Sequence, residues 1–438
     1  MILNYLIKIF KTNIFISVLT VFFLGIFLLS RTFMGIDIFG YRIGELSILF
    51  SFVFLIFSIL QFKNSTLQVV PDIVKILIIS AIATFILFVI ISEGDFLNLY
   101  VYKSSSYIWT LGFLFFGSVI GSFVHIKKEI FYLFFMILIY LYVYSIYGIP
   151  ESYQNNFLNY SDKFEYHKGS DVLIMFTSVF FLYNRSGIFN KFNSDIFLIF
   201  SSIYAPLLLY KSRGAFISFL LFVLLELLFL KNNFKRSVLK NLLILIIVIV
   251  TMLQSLFIVN KNGVVEVDEI NQNVQFIVDY RKVAPSPKEV SRDFLYFYDN
   301  RLYSGDGNLN WRLQIWQDVI EDLNEQGKLL IGFGFNEKFE AMDDPFRSGN
   351  DGTNENVHNY LINILGRGGL LHLLIFILIF YFLIKKCLSK NNIFILNFII
   401  PIFIASNFDA SMENSHFPLI FYFIFGIMLN TKNNRLIN

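Results

Sequence analysis

Long apolar runs dominate the order of hydrophobic and polar positions along this chain. Stretches of roughly 17 to 21 apolar residues, the length that crosses about 30 Å of hydrocarbon at about 1.5 Å per residue, recur through most of it. They predict twelve membrane-spanning helices centred near Phe22, Phe54, Ile82, Phe115, Met136, Phe176, Ser202, Phe222, Ile247, Ile377, Ile399 and Phe421. The run around Phe176 is short and the one around Ile399 contains Pro401, so these two give the weakest signal.

The connecting segments predict an orientation, because cytoplasmic loops are enriched in Lys and Arg. With the N-terminus inside (Lys8, Lys11), every second loop is basic: Lys63 with Lys75, Lys127 with Lys128, Arg185 with Lys191, and Lys231, Lys235, Arg236 and Lys240. Lys385, Lys386 and Lys390 follow, then Lys432 and Arg435 at the C-terminal end. The intervening loops are poor in bases or balanced by acids, as with Glu93 and Asp95 against Lys103, or Asp409 and Glu413 with no base. An even number of spans with both termini cytoplasmic follows. One connection, from about Asn260 to Glu355, is far longer than the rest and holds more than half of the 32 acidic residues, so it falls outside. Polar connections of that length are usually functional. The predicted organisation is an all-α polytopic membrane protein: helices 1–9 over residues 1–259, a large, partly helical outer loop over 260–356, and helices 10–12 over 357–438.

Composition agrees and excludes some classes. Hydrophobic residues make up 56% of the 438 and charged ones 15%, against about a quarter charged in soluble proteins, so a water-soluble core could not absorb the apolar content. The net charge of +3 is small and dispersed, with no basic groove, which argues against nucleic acid as a partner. Cys387, the single cysteine, lies in a Lys-flanked cytoplasmic segment and supports neither a disulfide framework nor a metal site. The first apolar run lacks a small-residue cleavage pattern and reads as an uncleaved first helix.

Three positions facing the outside are candidates for chemistry. Arg213, with Lys211, occupies Tyr210-Lys211-Ser212-Arg213-Gly214-Ala215, a turn of a few residues between two spans. Bases at an outer edge run against the positive-inside bias; the alternatives are snorkelling to headgroups or holding an anion. Arg312 lies in a predicted amphipathic helix capped at Asn310 and ending near Gly327. Ile315, Trp316, Val319 and Leu323 follow at helical spacing, which puts the guanidinium on the apolar stripe. There it needs an anionic partner, either one of the loop's own acids or a phosphate gripped bidentately. His358, in Asn356-Val357-His358-Asn359-Tyr360 where the loop re-enters the membrane, is suited to general acid or base work, or is simply a hydrogen-bonded interfacial residue.

Other features carry less. His125, His167, His372 and His416 show no metal-ligand spacing, so neither a catalytic metal nor another cofactor is expected. Glu226 lies in an apolar helix on the cytoplasmic half and is expected to pair locally. Gly332 and Gly334 suggest a turn; as a phosphate loop they lack the following Gly-Lys-Ser/Thr.

Together these segments resemble the superfamily of bacterial O-antigen ligases and O-antigen or exopolysaccharide polymerases. Ser212-Arg213-Gly214-Ala215 looks like the family's arginine turn before a span. Arg312 with Trp316, then Gly332 and Gly334, looks like its loop helix and glycine pair, and His358-Asn359 followed by Gly369 looks like its re-entry motif. The likeness covers about Tyr210 to Ile375. One departure is His372, where the family usually has a small residue three positions after the motif's glycine, which argues against close packing there.

The resemblance implies a GT-C-like fold and transfer of a glycan from an undecaprenyl pyrophosphate carrier to an acceptor hydroxyl at the periplasmic face of the inner membrane, without nucleotide sugar or metal. Arg213 and Arg312 would then hold the diphosphate, His358 would take the acceptor's proton, and Lys211, Trp316, Asn359, Arg281, Lys282 and Arg367 are further candidates for substrate contacts. Expected partners are the lipid-linked glycan, the bilayer, and a chain-length regulator and flippase. Polymerase is the preferred reading, ligase the alternative, and a lipid-linked glycan flippase or other transporter, or an assembly scaffold, the readings from other classes. A transporter should show repeat symmetry and charges in the middle of several helices, which this sequence lacks.

Overall fold

The structure, a computed structural model, describes residues 10–61, 69–123, 126–161, 164–185, 191–234, 237–264, 295–298, 300–343, 347, 354–389 and 395–430. Arg281, Lys282, His125 and the bases Lys8, Lys63, Lys235, Arg236, Lys390, Lys432 and Arg435 lie outside the described residues.

The chain is mostly helical, and a helix stands at each predicted centre. Among the described residues, seven helical stretches are long and apolar enough to cross a membrane: Asn13–Met34, Ile43–Leu60, Asp72–Ile91, Lys128–Tyr147, Asn193–Lys211, Val238–Asn262 and Tyr360–Leu388. Ser106–Gly121, Ile395–Ser406 and His416–Asn430 are shorter apolar helices, and Gly169–Arg185 and Arg213–Phe234 occupy the centres at Phe176 and Phe222. Val21, Leu49, Val250 and Phe257 point outward, as on helices whose surroundings are as apolar as their interior.

The chain divides into two compact units. The first comprises Met1–Lys75, Trp109–Val267 and Phe380–Asn438. The short run near Phe176 is buried along almost its whole length as the helix Gly169–Arg185. It reads weakly because it carries Ser and Thr, and these return hydrogen bonds to their own helix: Thr177 Oγ1 donates to the Leu173 carbonyl at 3.0 Å and Ser178 Oγ to that of Ile174 at 2.5 Å. The segment centred on Ser202 consists of Lys191–Ser202 and Tyr204–Lys211. Pro206 falls in the first turn of the second piece, where its missing N–H costs nothing. Interhelical bonds from Ser51 Oγ to the Trp109 carbonyl (2.7 Å) and between Tyr142 and Ser255 (2.8 Å) fasten neighbouring helices.

The second unit comprises Ile76–Ile108 and Asp268–Ile379. The long connection is not purely helical. It includes an antiparallel hairpin, Leu295–Tyr298 with Arg301–Ser304, which the sequence pattern did not suggest. The amphipathic helix spans Gly307–Glu325, and its cap is Asp306, whose carboxylate accepts from Leu309 N at 2.9 Å. The expected cap, Asn310, instead accepts from Ser304 N at 3.1 Å and so ties the helix to the hairpin. Gly327, at φ 64°, ends it close to the expected position.

One face of this helix buries Ile315, Val319 and Leu323 against Phe339, Met342, Val357 and Leu365, each burial contributing about 1.5–3 kcal/mol. Beside it runs a buried charge network. Asp318 accepts from Arg301 and Arg347 at 2.6 Å each, and Arg301 also reaches Gln314 and Glu321.

The helix Tyr360–Leu388 breaks at Gly369 (φ 64°, ψ −168°). The break leaves backbone groups without helical partners, which inside an apolar unit must be paired elsewhere. The segment 329–334 pairs them. Phe333 N donates to the Gly366 carbonyl (2.8 Å) and Gly334 N to that of Arg367 (3.1 Å), while Leu370 N and Leu371 N donate to Leu329 and Leu330 (2.9 and 3.2 Å). Gly332 and Gly334 have φ of 75° and 90°, so the expected turn is present. A Cβ on Gly332 would strike the Arg367 carbonyl, and one on Gly369 the Leu330 carbonyl. Close packing therefore exists despite His372, which is fully buried and bonds Thr84 and Tyr107 at 2.7 Å each. The imidazole is tolerated because both ring nitrogens have partners.

Gly332→Ala or Gly369→Ala should destabilise the protein by about 2–4 kcal/mol through backbone strain and carbonyl contact, read as a lower unfolding temperature in detergent. Asp318→Asn should cost about 3–5 kcal/mol by removing the carboxylate charge that two buried guanidinium groups share, whereas Lys103→Ala, which breaks the exposed pair with Glu355, should cost at most about 1 kcal/mol. Equal shifts for these two variants would contradict the assignment.

Candidate functional site

In the first unit, Ser212 is the one non-helical residue between Tyr204–Lys211 and Arg213–Phe234, with extended φ −162° and ψ 120°. Its N–H bonds the Leu208 carbonyl and its own carbonyl accepts from Phe216 N, so it closes one helix and opens the next. Arg213 is consequently the first residue of its helix, and it is exposed. A helix N-terminus carries positive partial charge and favours anions, so a cation there gains nothing for helix stability. The first turn is capped by Ser212, whose Oγ accepts from Ala215 N at 3.4 Å. Lys211 is half-buried and donates to the His167 carbonyl at 2.9 Å. Burial holds the His167 imidazole down to about 4, which keeps it neutral.

In the second unit, the amphipathic helix and the His358 segment are clamped together by two tryptophans. Trp316 Nε1 donates to the Val357 carbonyl at 2.7 Å, and the Trp311 ring meets the His358 ring edge to face at 5.1 Å. Arg312 follows Trp311 and lies one turn before Trp316, on the face that carries Trp316. Arg312, Trp316 and His358 are all half-buried, neither sealed in the core nor fully solvated. Arg312 thus lies between the two tryptophans that meet the His358 segment.

His358 adopts φ 54°, a left-handed conformation in a residue with a side chain. Such backbone costs about 1–3 kcal/mol and is found disproportionately at functional positions. Asn354 Nδ2 lies 3.5 Å from His358 Nε2 and donates to the Arg347 carbonyl at 3.2 Å, linking the imidazole to the buried charge network. Asn359 is buried and its side chain accepts from Ile362 N at 3.0 Å, which caps the re-entering helix.

Arg367 is buried, donating to the carbonyls of Gly334 and Glu337 and to Tyr100 OH (2.9 Å), with the Phe339 ring 4.1 Å from its guanidinium carbon. Burial raises the Tyr100 phenol, an effect that Arg367 partly offsets. Trp311 and Asn354 escaped sequence reasoning. Trp311 directly precedes Arg312, but nothing in its spacing indicates that its ring seats His358. Among the described residues, no three His, Cys, Asp or Glu side chains gather to hold a metal ion.

A search of curated proteins gives no match. Residues 196–377, which contain Lys211, Arg213, Arg281, Arg312, Trp316, His358, Asn359 and Arg367, match the family model described as O-antigen ligase. This match, over less than half of the chain, supports the likeness of that stretch to the superfamily of O-antigen ligases and polymerases.

Proposed function

We propose that the protein is a membrane glycosyltransferase that extends undecaprenyl-pyrophosphate-linked oligosaccharide repeats at the periplasmic face of the inner membrane. In this reading twelve helices span the bilayer, both termini are cytoplasmic and the 260–356 connection is periplasmic. Arg213 and Arg312 bind the diphosphate. An acceptor sugar hydroxyl attacks the anomeric carbon as the bond from that carbon to the diphosphate oxygen breaks. The electron pair leaves with the lipid diphosphate, the hydroxyl proton passes to His358, and the sugar carbon inverts. Charge grows on the leaving oxygen, so fixed cations stabilise the transition state more than the bound donor, by about 3 kcal/mol for such a group. The carrying observation is the joint seating of the Arg312 helix and His358 by Trp311 and Trp316, which puts a cation and a proton acceptor on one rigid support.

Lys211, Trp316 and Asn359 serve this site by holding the segments that carry Arg213 and His358, and Arg281 is kept as a further phosphate contact. Arg367 we assign to holding the 334–337 backbone. The family description favours a second reading, ligase, which differs in passing the glycan to a lipid A core sugar instead of another repeat.

Purified protein in liposomes with a synthetic pyrophosphate-linked repeat should produce longer glycans, unaffected by a metal chelator. Arg213→Ala and Arg312→Ala should each lower kcat about 100-fold, and His358→Ala about 100- to 10,000-fold, with protein level and unfolding temperature unchanged. Arg367→Ala should lower the unfolding temperature. Extension only when a core oligosaccharide is supplied would make the protein a ligase, and full activity in all three alanine variants would refute the mechanism.

A further inference from the structure

The Arg213 turn is gripped from two sides within the first unit. Gly169 lies so close that a Cβ there would sit 2.8 Å from Ser212 Cβ and 3.0 Å from Ala215 Cβ, and a Cβ on Gly214 would sit 2.7 Å from Phe408 Cβ. The residues next to these two grips are bonded to each other. Ser170 Oγ donates to Asp409 Oδ2 at 2.5 Å, and one residue further along the helix, Asp171 Oδ1 accepts from His416 Nε2 at 2.8 Å. The Asp171 and His416 side chains are only 6% and 2% exposed. Asp171 Oδ2 accepts from Lys168 N, and Asp409 Oδ1 from Ala410 N, so both carboxylates are held on two sides. Lys211, bonded to the His167 carbonyl, adds a second attachment of the turn to the 167–171 segment.

Ionisable groups buried in an apolar helix bundle are costly, and well-packed apolar side chains would join the same two segments at less expense. Polar links give direction and length that apolar contacts do not. We infer that Ser170, Asp171, Asp409 and His416 form a latch that closes the 167–171 and 408–416 segments around the 211–215 turn and so sets where Arg213 stands. They are positioning residues: the inference rests on the reading that Arg213 binds the diphosphate, and they act through it without touching substrate. All four lie outside the 196–377 family match.

The test has two arms on the full chain in liposomes. In a Cys387→Ser background, Arg213→Cys is labelled with a membrane-impermeant maleimide, with and without His416→Gln or Asp409→Asn. The latch predicts that its variants change the labelling rate at least about threefold; unchanged rates in both would overturn it. In the activity arm, His416→Gln should lower kcat about tenfold with KM within about twofold, and give no further loss when combined with Arg213→Ala. An equal tenfold loss in both backgrounds would mean that the pair acts on the fold at large, and would overturn the latch. Ser170→Ala, which deletes a single hydroxyl, serves in both arms if His416→Gln fails to accumulate. If Arg213→Ala itself keeps full kcat, the diphosphate reading fails, and the labelling arm still decides the latch.

Discussion

A broken helix cannot lie in an apolar interior with its freed backbone groups unpaired, and the second unit is built around meeting that requirement. The helix Tyr360–Leu388 is interrupted at Gly369, and the carbonyls and N–H groups exposed there are taken up by residues 329–334. This pairing needs backbone to approach backbone, which is why glycine stands at 332 and 369. Once 329–334 is docked, the end of the amphipathic helix is fixed a few residues upstream, its apolar stripe closes on Phe339, Met342 and Val357, and Trp316 reaches the Val357 carbonyl. The placement of His358 is thus the far end of a chain of constraints that begins with four backbone hydrogen bonds.

The cations of the second unit divide by what surrounds them. Arg301 and Arg347 share Asp318, and Arg367 is spent on carbonyls, a phenol and an aromatic face. These three are nearly inaccessible, so their guanidinium groups organise the protein. Arg312 is half-buried on a rigid helix beside the strained His358, a position that retains reach toward an anion while restricting side-chain freedom. In the first unit, Arg213 is exposed at a helix N-terminus. Burial thus separates arginines bonded inside the protein from those left within reach of solvent.

Much of the architecture was legible in the sequence because spans are written in long-range composition. Helices appear at every predicted centre, and Ile315, Val319 and Leu323 are buried along the apolar stripe that their spacing indicates. Gly332 and Gly334 form the expected turn. The helix cap was misplaced, since Asn310 and Asp306 are both good capping residues and only the hairpin contact from Ser304 decides between them. The hairpin itself went unseen, because two four-residue strands with aromatic residues on both faces lack a clear alternation. His372 was misjudged because a large polar side chain in a tight place is acceptable only if its partners exist, and Thr84 and Tyr107 are hundreds of residues away.

The sequence by itself determined that the chain is a helical membrane protein, which of its segments are apolar and which polar, and which side chains could bind an anion or accept a proton. Those properties depend on composition and on spacing of a few residues, where the chain's own covalent geometry dictates the neighbours. Only the tertiary structure decided that Trp311 seats His358, that Arg367 and Arg301 are buried and bonded within the protein, and that Asp171 meets His416 across the first unit. Each of those pairings joins residues far apart in the chain, and whether a charged or aromatic group works or merely holds depends on what folding brings within about 3 to 5 Å of it.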